Sequence, residues 1–78
     1  MPRFYFHLYN DEDTFDREGL ELPDEAAAHE QAVRAAKDMA AQGVADGRLV
    51  LDNRIEVVNE RGDTIDTVYF RDVVHVEG

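Results

Sequence analysis

The run from Ala26 to about Asp46 is rich in alanine, free of proline, and flanked on both sides by short segments that alternate with a period of two. It is the one long helix this chain can build. Its expected buried stripe is Ala28 or His29, Ala32, Val33, Ala36, Met39, Ala40 and Val44, spaced by three and four. Side chains so small imply a helix lying close against a sheet. Pro23-Asp24-Glu25 opens it: a proline in the first turn gives up an N–H that has no partner there, and Asp24 is placed to cap or, with Glu25, to complement the positive helix end. Glu30 and Arg34 form a favourable outward pair four residues apart. Gly43 weakens the last turns and Gly47 is the natural stop. A single helix covers one face of a sheet, so the other face is left to solvent or to a partner.

The sheet is read from the flanking segments. Phe4, Phe6 and Leu8 fall on one side of the stretch 3–9, and Arg3, Tyr5, His7 and Tyr9 on the other, which predicts a strand. Residues 10–16 read as a polar loop, and Gly19-Leu20-Glu21-Leu22 as a short second strand. After the helix, Leu49 and Leu51 are available to the core. Strands are predicted at 55–58 and 64–70, joined by a hairpin loop at Asn59-Glu60-Arg61-Gly62 in which Gly62 takes a positive φ. The tail 71–76 is expected either to add a short edge strand or to pack down. The expected fold is therefore α+β, one domain over 1–78. It is a two-layer sandwich: a small, mainly antiparallel sheet of four or five strands with one long helix on one face, in the order β-β-α-β-β with an optional last strand.

Charge limits the partners. The 78 residues carry 18 acidic and 8 basic side chains, a formal charge of −10. Eight of the carboxylates fall between Asp11 and Glu25, against a single cation, Arg17. Direct nucleic-acid binding is not expected, because phosphate contact needs a cationic face. The segment marks Asp11, Glu12, Asp13, Glu18 and Glu21 as candidate contacts for a basic protein. No run approaches the roughly 18 apolar residues of a membrane span, and the first residues lack the apolar core of a signal peptide. A cytoplasmic location is the expectation.

Chemistry fares poorly. The acidic loop 10–16 invites comparison with a calcium-binding EF-hand loop, but a count from Asp11 puts Phe15 at the fifth position and Asp16 where the glycine belongs. His7, His29 and His75 have no companion at metal-ligand spacing, and there is no cysteine. There is no serine either, and Thr14, Thr64 and Thr67 have no base beside them. No glycine-rich phosphate loop occurs. The chain is expected to be neither an enzyme nor a cofactor binder. The feature left over is the second sheet face, where Tyr5, His7, Tyr9, Thr67 and Tyr69 form a candidate interface of the amphipathic, aromatic kind that partner surfaces favour. The expected function is a small protein-interaction module, self-associating through a sheet face or edge.

Met1 to His7, then Asp16-Arg17-Glu18-Gly19-Leu20-Glu21-Leu22-Pro23-Asp24-Glu25-Ala26-Ala27, then Arg54-Ile55-Glu56-Val57 and Val68-Tyr69-Phe70-Arg71-Asp72-Val73-Val74 give the chain a recognisable signature. In that order they resemble a family of short alphaproteobacterial proteins built on a domain of unknown function, from which Asn59-Glu60-Arg61-Gly62 departs in its turn residues. That resemblance implies a shared fold and no activity. The succession of strand, acidic turn, strand and helix is also similar to that of HicB-type antitoxins. This second resemblance implies an alternative role as a regulatory binder of a small basic protein.

Overall fold

In the computed structural model, which describes residues 1–77, the alternating N-terminus forms β1 (Arg3–Tyr9) at the centre of the sheet. The other elements follow as β2 (Leu20–Glu21), α1 (Glu25–Ala45), β3 (Arg54–Val58), β4 (Thr64–Tyr69) and a short helix α2 (Phe70–Val73). The strands lie in the order β2-β1-β3-β4, every neighbour antiparallel. This is the α+β architecture expected from the sequence.

Register decides what faces α1. Phe6 stands opposite Val57, Leu8 opposite Ile55, and Ile55 opposite Val68. Directly opposed residues share a face, so these side chains form one apolar surface. Phe4, Ile55, Val57, Val68 and Phe70 are buried there beneath Ala28, Ala32, Ala36 and Ala40. Every buried residue of α1 is an alanine. The backbone of the helix therefore comes near the sheet, and the core is thin: Val57 is its largest fully buried side chain.

Several expectations need correction. Met39 and Val44, placed in the buried stripe, are exposed, Val44 to 56%. Twenty-one helical residues at about 1.5 Å each make α1 about 31 Å long, whereas the seven residues of β1 span about 23 Å. The helix outruns the sheet, so the outer side chains of its last turns have no strand beneath them. Pro23 lies before the cap rather than in the first turn: Asp24 is the N-cap, and its carboxylate accepts the Ala27 N–H at 2.8 Å. The optional fifth strand is absent among the described residues. The chain turns into α2 at Phe70, whose ring drops into the core and whose N–H donates to the Asn53 carbonyl at 2.8 Å. Gly43 does more than weaken the helix, because the Arg48 carbonyl would lie 2.7 Å from a β-carbon there. The chain leaving α1 folds back directly against it. The β3–β4 hairpin closes with Gly62 at φ 86°, as predicted.

Candidate functional site

The face of the sheet away from α1 is the candidate site. β1 contributes Arg3, Tyr5, His7 and Tyr9, all partly buried. Opposite them, β3 sets Val58 against Tyr5, Glu56 against His7 and Arg54 against Tyr9, and β4 continues two of these rows with Thr67 and Tyr69. All five candidate interface residues therefore share this surface. Arg54 stands in the end row of this face, between two tyrosines. Its guanidinium carbon lies 4.4 Å from the Tyr9 ring centroid, and its Nε donates to Glu56 Oε2 at 2.9 Å. That hydrogen bond holds the Arg54 guanidinium above its ordinary pKa. Arg71 reaches back from α2 over Tyr69, at 5.2 Å, and also pairs with Asp52.

Sequence reasoning missed three members of the face. Arg54 and Glu56 alternate with the buried Ile55 and Val57, so their direction could be read from β3, although their neighbours could not. Phe15 looked like part of a polar loop. Its ring instead packs edge-on against His7 and Tyr9, at 5.3 and 5.9 Å between centroids, and remains 56% exposed. The only signal was an isolated aromatic among acids.

The loop that carries Phe15 closes the outer edge of β1. Thr14 and Leu8 exchange both backbone hydrogen bonds, at 2.8 and 2.9 Å. Beyond them the Asp16 carboxylate takes the place of a strand: it accepts the Phe6 N–H at 3.2 Å and, through its other oxygen, the N–H groups of Glu18 and Gly19 at 3.1 Å. The Asp16 N–H donates to His7 Nδ1 at 3.0 Å. Partial burial on its own would raise the pKa of Asp16. The three backbone donors from Gly19, Phe6 and Glu18, helped by the nearby His7, outweigh it and hold the carboxyl below its ordinary value. Gly19 follows at φ 70°, where a β-carbon would lie within 2.9 Å of Arg3, Phe4 and Tyr5 atoms. This position requires glycine.

The far edge is closed in the same way. Thr67 and Tyr69 on β4 have no strand beyond them, and their N–H groups donate to Asp66 Oδ1 at 2.9 Å and Asp72 Oδ2 at 3.1 Å. Asp66 also binds His29 Nδ1, tying α1 to the sheet. Both edges thus carry carboxylates on backbone donors that another strand would need.

The acidic candidates divide. Asp11 forms a bidentate pair with Arg48 and Glu21 pairs with Arg3, whereas Glu12, Asp13 and Glu18 are exposed and have no cation partner among the described residues. Arg3 also donates to the Glu18 carbonyl at 2.6 Å, so the backbone at Glu18 is anchored while its carboxylate is not. No group of three metal-ligating side chains forms among those residues, and no helix there is long and apolar enough to cross a membrane.

The fold and its open face define a small α+β sheet domain, covered on one side and bearing an arginine–tyrosine surface on the other. The chain belongs to the family described as a domain of unknown function, DUF6894, which matches residues 3–71. No curated protein and no solved structure matches it.

Proposed function

We propose that the chain is a non-enzymatic interaction module of the cytoplasm that associates with a second copy of itself through the open sheet face, and that it does not bind nucleic acid directly. One observation supports this reading: the outward N–H groups of Phe6 and Leu8 at one edge and of Thr67 and Tyr69 at the other already have carboxylate or backbone partners, while the aromatic face is covered only in part, by the Phe15 ring. Of the two routes expected from the sequence, face or edge, these partners favour the face. Its charge suits a copy. The chain is strongly acidic, yet Arg3 is balanced by Glu21 and Arg54 by Glu56 on this surface. A strongly charged partner of either sign would meet one unfavourable member of each pair.

Size sets the strength. The four strands together hold 20 residues; at about 3.3 Å per residue and about 4.8 Å between strands they give a footprint of about 320 Å², well under the roughly 800 Å² per partner of a standard stable interface. The association is therefore weak and reversible. Sedimentation of the Tyr9→Ser/Tyr69→Ser double variant tests it. Both positions are partly exposed and lie outside the core, so the variant should fold, and its self-association should weaken at least tenfold. Unchanged association in a folded variant would refute the face.

A second reading keeps the alternative role, recognition of a small basic protein, and is favoured by the exposed Glu12, Asp13 and Glu18. Salt separates the two. A complex with a basic partner weakens as salt is added, whereas contact between two acidic copies strengthens.

A further inference from the structure

The contact between His7 and Asp16 has a direction that matters. His7 Nδ1 accepts the Asp16 backbone N–H, so the ring holds that contact only with Nδ1 unprotonated and its proton on Nε2. An imidazolium carries a hydrogen on both nitrogens and has no lone pair to offer. The geometry points to an acid-operated latch: protonation of His7 breaks its bond to the Asp16 N–H and frees Phe15 from the open face, while the Asp16 carboxylate keeps its hold on the Phe6 N–H and Arg3 its hold on the Glu18 carbonyl.

The surroundings favour the switch once the proton arrives. The Asp16 carboxylate faces His7 from the loop, and Glu56 stands opposite it on β3, itself paired with Arg54. Two carboxylates and one guanidinium thus face the ring. Tyr5 and Tyr9 flank it on its own strand, Thr67 lies one strand beyond Glu56, and Arg17 and Glu18 are the other charges of the loop. A protonated ring is drawn to either carboxylate and repelled by the Asp16 N–H it had accepted. The Leu8–Thr14 backbone pair involves no titrating group and remains as the hinge. Among the described residues Phe15 packs on the rings of His7 and Tyr9 alone, so losing the first contact loosens the second. Histidine changes charge between roughly pH 5 and 8, and the Asp16 carboxyl, held below its ordinary value, stays ionised throughout.

The latch stands on the monomer's geometry alone, whereas its effect on association rests on the face-to-face reading proposed above. Amide hydrogen exchange with parallel titration of the His7 ring by NMR tests it on the intact chain. The Asp16 amide should lose about tenfold in protection as His7 protonates, while Leu8 and Thr14 stay protected. His7→Gln, whose side-chain carbonyl accepts without titrating, should keep Asp16 protected at every pH. A protection factor that does not move through the His7 titration would overturn the latch, as would the same pH dependence in His7→Gln. Sedimentation at pH 7.5 and 5.5 reads the consequence separately. If Asp16 unlatches and association is unchanged, the latch stands and the reading of the face fails.

Discussion

At the scale of single residues, the segment 16–21 shows how acids can serve a fold. Asp16 supplies the hydrogen bonds of an absent strand, and Glu21 anchors Arg3. Because the carboxyl of Asp16 is held below its ordinary value, its contribution to stability is present above the unfolded-state pKa and is lost as pH falls through the folded one. Urea denaturation should show stability declining below about pH 4, and Asp16→Asn should be less stable than the native chain at pH 7 with a flatter acid limb. Gly19→Ala should cost about 2–4 kcal/mol, from a left-handed φ combined with overlap against Arg3, Phe4 and Tyr5. Thermal melting would read this directly. The glycine was legible only as the head of the second strand, and its left-handed φ was not. Nor was the carboxylate, because its acceptor role depends on β1 passing beside it, and no spacing along the chain reveals that.

At the scale of elements, α1 was legible in type, limits and buried alanines, since period and small size both mark them. Its overhang was not, because a helical pattern carries no information about where the sheet beneath it ends. Ala36 is fully buried, so Ala36→Leu should push α1 off the sheet at a cost of about 1–3 kcal/mol, whereas Val44→Ala on the overhang should change stability by less than about 0.5 kcal/mol. Paired urea melts make the comparison. The strand expected to run to Phe70 stops at Tyr69, and the tail expected to add an edge strand or pack down starts within α2, because Phe70 is buried in the core, a demand the local sequence does not announce. Asp72 then turns back to cap the Tyr69 N–H. Removing both edge acceptors, in Asp66→Ala/Asp72→Ala, should leave Thr67 and Tyr69 open to strand addition. Light scattering on mild heating should rise sooner in that variant than in the native chain.

At the scale of the whole molecule, the charge of −10 and the neutral open face act against each other. The acids keep copies apart at low ionic strength, where the Debye length is about 30 Å at 0.01 M, and far less at about 0.15 M, where it falls to about 8 Å. The open face offers aromatic area and internally balanced charge in a footprint too small for permanent union. The existence of this face followed from counting one helix. Its composition needed the register, which brought Arg54, Glu56 and Phe15 to the tyrosines. Sedimentation equilibrium of the 8.9 kDa chain at about 0.01 and 0.15 M salt, over a range of concentrations, tests the central claim most directly. The account predicts a mass rising toward that of two chains as concentration increases, with tighter association at the higher salt. A single-chain mass at every concentration and both salt levels would contradict it.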